Sequence, residues 1–150
     1  MNTLQLNRSD IERILPHRTP LLLADSAVLG SQTVQTVFYV DPDMDIFKGH
    51  FPDDPVLPGV YITESLAQCA DILLLAMPGN AGRKPLLASI GGMRFFRPVR
   101  PGDTLICEAE LDTSSPEMST YECRTCAFIS GSSDGEKLKA AQGHITLCLK

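Results

Sequence analysis

Between Gly59 and Met77 the chain offers one long helix that is apolar on every side. Val60, Ile62, Leu66, Ala67, Ala70, Ile72, Leu73, Leu74 and Leu75 point in all directions at helical spacing. Such a helix has no face for water and must be buried. Pro58-Gly59 opens it and Pro78-Gly79-Asn80 ends it. Around it the sequence reads as strands: Leu21–Leu29, Thr33–Val40, Pro85–Ile90, Met93–Phe96, Thr104–Leu111, Thr120–Ile129 and Ala141–Leu149. Turn signals fall at Gly30-Ser31, Pro101-Gly102-Asp103, Ser114-Ser115-Pro116 and Gly131 to Gly135. Ser9-Asp10 reads as the cap of a short first helix through Ile11, Ile14 and Leu15. One buried helix among five to six antiparallel strands predicts an α+β domain whose sheet wraps the helix. One sheet covers one side, so a second subunit is expected to cover the other.

The 150 residues fit a single domain over 1–150. The formal net charge of −5 argues against broad nucleic-acid binding, which needs basic surface. No apolar run approaches the roughly 18 residues of a membrane span, and Met1 to Leu15 has no apolar signal core. Five cysteines, an odd number, read as reduced thiols of a cytoplasmic protein. No metal site is expected. Asp41, Asp43 and Asp45 start like a calcium loop, but Ile46 and Pro52 stand where it needs Gly and Glu. Cys123 and Cys126 have zinc-like spacing without a second pair, and in a strand they face opposite sides.

Chemistry concentrates in Lys48 to Glu64. The loop from Asp41 to Pro58 is stiffened by Pro42, Pro52, Pro55 and Pro58, and it carries His50. Gly59 starts the helix, and Glu64 is a carboxylate within it. Each has a plain reading as well. His50 can cap a turn, Gly59 can be a permissive start residue, and Glu64 can face solvent or pair with an arginine. Taken together they describe a base, an acid and an N–H donor for a developing oxyanion. That set suits proton abstraction beside a carbonyl, with protonation of a leaving oxygen. Arg94, Arg97 and Arg100 form a local basic run that can dock an anionic partner or simply be solvated.

These residues resemble a known family. Gly49-His50-Phe51-Pro52, Pro55-Val56-Leu57-Pro58-Gly59-Val60, Glu64 and Ala67-Gln68 are similar to the signature of 3-hydroxyacyl-acyl-carrier-protein dehydratases of FabZ type. Leu15-Pro16-His17-Arg18-Thr19-Pro20 resembles that family's first block, and Arg94-Phe95-Phe96-Arg97-Pro98-Val99 with Pro101-Gly102-Asp103 a third. The likeness runs in order from Ile11 to Leu111, and the later strands match only in pattern.

The resemblance implies a hot-dog fold and a homodimer with both sites at the interface, with a trimer of dimers as its further assembly. It implies dehydration of (3R)-3-hydroxyacyl chains on acyl carrier protein to trans-2-enoyl thioesters, in fatty-acid or related polyketide and polyene biosynthesis. No cofactor is required beyond the carrier's phosphopantetheine arm. His50 is then the base, Glu64 of the other subunit the acid, and Gly59 N–H the donor to the thioester carbonyl. Related dehydratase–isomerases carry Asp where this chain has Glu64. Desolvation is expected to raise the Glu64 pKa more than the helix start lowers it. Gln68 can orient the carboxylate. Phe51, Val60, Tyr61, Gln68 and Phe95 are the candidate substrate-binding residues, with Leu66 and Met93 as further tunnel candidates. Arg94, Arg97 and Arg100 are the candidates for carrier-protein docking. Two alternatives stand beside this: a hot-dog acyl thioesterase, and a non-catalytic subunit of a heteromeric dehydratase.

Overall fold

The computed structural model describes residues 2–150. Its elements run β1 (Leu4–Leu6), α1 (Arg8–Ile14), β2 (Ser26–Leu29), β3 (Thr33–Tyr39), α2 (Gly59–Leu75), β4 (Pro85–Phe95), β5 (Thr104–Ser115), β6 (Thr120–Ser130) and β7 (Lys137–Leu149). Short 3₁₀ turns lie at Asp45–Lys48 and Pro116–Met118. All seven strands form one antiparallel sheet in the order β1-β2-β3-β5-β6-β7-β4. The sheet curls around α2, the hot-dog arrangement expected of the sequence.

The sheet has more strands than the expected five to six. Leu4–Leu6 adds a strand of only three residues at one edge, too short for an alternation signal. Pro85–Ile90 and Met93–Phe96 are not separate strands but one, β4, carrying a bulge between Gly91 and Arg94. Gly92 takes φ +59 there, a left-handed value that costs glycine least. Ser114-Ser115 are the end of β5 rather than a turn, which begins at Pro116. Leu21–Asp25 lies outside the strands, Leu21 and Leu22 closing a turn onto Arg18 O, and β2 begins only at Ser26.

The cap of α1 is Asn7, two residues before the expected Ser9. Asn7 Oδ1 accepts from Asp10 N at 2.9 Å, and Asp10 Oδ2 accepts from Asn7 N at 2.9 Å. This reciprocal pair satisfies two backbone donors at once, an advantage Ser9 lacks.

Helix α2 is as buried as its composition requires: from Ile62 on, every residue but Glu64 is buried. Leu66, Cys69, Ala70, Ile72 and Leu74 are fully enclosed. A change such as Leu66→Ala is worth about 2–5 kcal/mol here. From Ile62 on the chain itself covers this helix, while its first turn stays open, with Val60 73% exposed. The curled sheet faces it with β3, β5 and β6. The segment after α1 closes it further, with Leu15, Leu22 and Leu23 in the core. A run of uncovered apolar side chains lies on β4, whose outer edge has no strand partner among the described residues. Leu86, Leu87, Ile90 and Phe95 are each about half exposed (46–51%). A long apolar edge of this kind is a template for pairing with another chain.

No helix among the described residues is long and apolar enough to cross a membrane. Cys69, Cys107 and Cys123 are buried thiols, and Cys126 faces the opposite side of β6 from Cys123, as strand alternation requires.

Candidate active site

The loop holding His50 is fixed at both ends by backbone bonds. His50 N donates to Ile46 O at 3.1 Å, Val56 N donates to His50 O at 3.0 Å, and Leu57 N donates to Val99 O at 2.8 Å. The imidazole is held by a further contact, Nδ1 to Val56 O at 2.8 Å. A carbonyl oxygen can only accept, so Nδ1 carries the proton. In the neutral ring the other nitrogen, Nε2, is then left with its lone pair. That is the state a general base requires. The ring stacks on Phe51 with centroids 4.2 Å apart.

Gly59 is the first residue of α2, after Pro58 in an extended conformation (φ −57, ψ 141). Its N–H precedes the first i→i−4 bond of the helix, so it is one of the orphan donors. The first bonds of the turn are made by Tyr61 N and Ile62 N, both to Pro58 O. A Cβ on Gly59 would sit 3.2 Å from Cε1 and Cζ of Phe95, so the glycine lets that ring lie against the helix start. Thr63 Oγ1 donates to Gly59 O at 3.1 Å and holds the turn.

Glu64 projects from the second turn with its side chain 29% exposed. Gln68, one turn on, is fully buried. Its Nε2 donates to Glu64 Oε2 at 2.8 Å and to Leu21 O at 2.8 Å, and its Oε1 accepts from Leu23 N at 2.9 Å. Gln68 therefore sits behind the carboxylate rather than facing an open site. Of the two readings of Gln68, substrate contact and orientation of the carboxylate, its bond to Glu64 bears on the second.

Two further groups gather at Glu64 that sequence reasoning left without a role. His17 Nε2 lies 3.8 Å from Glu64 Oε2 and 3.9 Å from Asp71 Oδ2. Asp71 is 3% exposed. Burial pushes its carboxyl well above the usual range, and the Glu64 charge adds to this. Burial lowers the His17 pKa, against an opposing pull from Glu64. The available signal was spacing: Asp71 is seven residues after Glu64, about two turns, hence on the same face.

The other candidates divide. Phe51, Val60 and Phe95 are exposed, the last two at the start of α2, and Tyr61 is half-buried there. Leu66 is core and Met93 packs against the core. Arg94, Arg97 and Arg100 are exposed. Arg97 Nε donates to Lys139 O at 2.9 Å, and Arg100 pairs with Asp54 at 2.8 Å. His50 and Glu64 make no hydrogen bond or ion pair with each other within the chain: the partners of His50 are Val56 and Phe51, and those of Glu64 are Gln68 and His17. A cleft of about 410 Å³ over β2, β3, β5 and β6 contains none of His50, Gly59 and Glu64.

A sheet curled about a buried helix is the hot-dog fold, and this chain sets into it a histidine on a stiff loop and a carboxylate near the helix start. Within it, residues 27–132 match the family described as ApeI-like, ApeI dehydratase, and the chain belongs to that dehydratase family. It is similar to the 3-hydroxyacyl-[acyl-carrier-protein] dehydratase FabZ of Enterococcus faecalis, 44% identical over 110 residues, which cover 72% of this chain and 78% of the relative. FabZ of Oenococcus oeni is 35% identical over 138 residues, 91% of this chain and 95% of the relative. Among solved structures, the dehydratase heterocomplex ApeI:P from Xenorhabdus doucetiae superposes with a TM-score of 0.75 over 93% of this chain and 90% of that one. Its 16% identity speaks for the fold alone.

Proposed function

We propose that this dehydratase removes water from (3R)-3-hydroxyacyl thioesters carried on acyl carrier protein, using His50 and Glu64 from two subunits of a homodimer. The observation that carries the reading is the Nδ1 contact of His50 to Val56 O, which leaves Nε2 free as base. His50 Nε2 takes a proton from C2 of the substrate. The C2–H electron pair forms the C2–C3 double bond as the C3–O bond breaks. Glu64 of the partner subunit gives its proton to the departing hydroxyl, which leaves as water. Negative charge developing on the thioester oxygen is met by the Gly59 N–H, backed by the N-terminal end of α2. The proton gained by His50 and the one lost by Glu64 balance, so one exchange between them resets the site.

The free edge of β4 supports the homodimer, since a second copy laid against it would cover the exposed apolar side chains. Val60, Tyr61 and Phe95 at the start of α2, with Phe51 stacked on the His50 ring, would line the path of the acyl chain. Arg94 and Arg97, with Arg100 held on Asp54, put exposed positive charge on a chain of net charge −5, and an acidic carrier protein is the partner that charge fits. No resident cofactor is called for by this chemistry.

The test is mass spectrometry of 3-hydroxyacyl carrier protein after incubation with wild type, His50→Ala and Glu64→Gln. Loss of one water from the acyl chain with wild type alone is the expected result. Release of free acid would make the protein a thioesterase. No change at any chain length would leave a subunit that needs a different partner.

A further inference from the structure

The trio of Glu64, His17 and Asp71 poses a problem that the reaction does not solve. Two carboxyls face one imidazole nitrogen, Nε2, at 3.8 and 3.9 Å. Asp71 Oδ1 and His17 Nδ1 are buried without a hydrogen-bond partner among the described residues. An ionised Asp71 in this position would be a charge with no full partner, and burying one is costly. If His17 were to settle on Glu64 as an imidazolium, it would hold Glu64 ionised. An ionised Glu64 cannot protonate a leaving hydroxyl.

We propose that Asp71 is a positioning residue that acts on Glu64 through His17. As a neutral carboxylic acid it donates to His17 Nε2 and keeps that imidazole from locking Glu64 in an ion pair. This rests on the reading above, in which Glu64 is the acid. Closing the 3.9 Å gap to a hydrogen bond takes a shift of about 1 Å. The Nε2 lone pair is then occupied by Asp71, the ring proton sits on Nδ1, and His17 stays uncharged. Glu64 is left with the Gln68 amide as its hydrogen-bond donor, which does not require it to be ionised. Burial acts in the same direction on both groups, favouring neutral Asp71 and neutral His17. The groups that face Asp71 are Glu64 on its own helix, His17 on the segment after α1, and the buried Cys123 thiol on β6. Burial pushes that thiol up to about 12, so it adds no charge near neutral pH.

Asp71→Asn and Asp71→Ala separate this role from packing. The Asn amide can donate to Nε2 as the acid does, and Ala cannot. Expected for Asp71→Ala is a fall of about tenfold in kcat at neutral pH with KM little changed. The alkaline limb of its pH profile should move down by about one unit. Asp71→Asn should keep the wild-type profile. In parallel, nitrogen NMR of the His17 imidazole should show a neutral ring with the proton on Nδ1 in wild type and Asp71→Asn. In Asp71→Ala the ring should protonate at higher pH. Equal damage in the Asn and Ala variants, an unchanged Ala profile, or an imidazolium or Nε2–H ring in wild type near pH 7 would each overturn the proposal. The imidazole spectrum needs no turnover. It decides the matter even if wild type fails to dehydrate, which would count against the reading of Glu64 and not against the pairing. Should Asp71→Ala fail to fold, the wild-type and Asp71→Asn spectra still decide between a neutral Nδ1–H ring and the alternatives.

Discussion

Gln68 Nε2 donates to Glu64 Oε2 at 2.8 Å from one turn farther along α2, and the same side-chain amide ties that turn to Leu21 and Leu23. A fully buried side chain thus joins the stability of the fold to the aim of the carboxylate. Gln68→Leu keeps the volume but leaves Leu23 N–H buried and unpaired, and takes from the half-exposed Leu21 its carbonyl's donor. A buried unpaired group costs about 1–3 kcal/mol, so the variant should lose about 1–3 kcal/mol in denaturant unfolding. Its turnover should fall even where it remains folded, because Glu64 loses its fixed rotamer. Full activity in a destabilised Gln68→Leu would show that the bond serves the fold alone.

Gly59 allows a donor to be removed without removing a side chain. It occupies the first helical position, where proline is accepted, and Pro58 before it is already extended, as a following proline demands. Gly59→Pro deletes the N–H, while Gly59→Ala keeps it. Both meet the Phe95 ring, which is half exposed and can shift. The expected outcome is a loss of about 10²-fold in kcat for Gly59→Pro and less than about tenfold for Gly59→Ala, with similar melting temperatures. Equal losses in the two would trace the effect to crowding of Phe95 and remove the oxyanion role.

Asp71 and His17 give stability opposite pH slopes. Asp71 ionises above about pH 4 in the unfolded chain but is held neutral by burial in the folded one. Its penalty is absent below that pH and grows as pH rises toward the raised folded value. Asp71→Asn should therefore gain melting temperature over wild type at about pH 8 and little at about pH 4. His17 runs the other way: burial lowers its pKa below 6.5, so its stability is complete above that and is lost as pH falls. His17→Gln should flatten the acid side of the curve. Differential scanning fluorimetry from about pH 4 to about pH 8 reads both, and a pH-independent difference between Asp71→Asn and wild type would contradict the neutral Asp71.

The apolar girth of α2 was plain in the sequence because no residue from Ile62 on, save Thr63, Glu64, Ser65, Gln68 and Asp71, is polar. The loop motif around His50 was equally legible, since its prolines and glycines act locally. What escaped was set by distant contacts or by pairs of side chains acting together. The Asn7 cap depended on a reciprocal bond to Asp10. The Gly91–Arg94 bulge in β4 depended on pairing with β7. His17 acquires meaning only because the chain from Leu15 to Ala24 folds back over the helix face that bears Glu64 and Asp71. Spacing along one element can suggest a same-face pair, as with Glu64 and Asp71, but not the imidazole that a separate segment brings between them.

A site shared across subunits has a consequence that one inactive variant cannot show. His50→Ala and Glu64→Gln should each be inactive as homodimers. In a mixed dimer, one site joins the intact His50 of one chain to the intact Glu64 of the other, while the second site has neither. Equal mixing by co-refolding makes about half the dimers mixed, each with one working site of two, so about a quarter of wild-type activity should return. If His50 and Glu64 act within one chain, every chain in the mixture lacks one of them and nothing returns. Ile90→Asp, placed on the exposed edge strand β4, supplies the control. A charge there should oppose pairing, give a monomer by light scattering, and abolish both wild-type turnover and the rescue. A fully active Ile90→Asp monomer would place the whole site within a single chain.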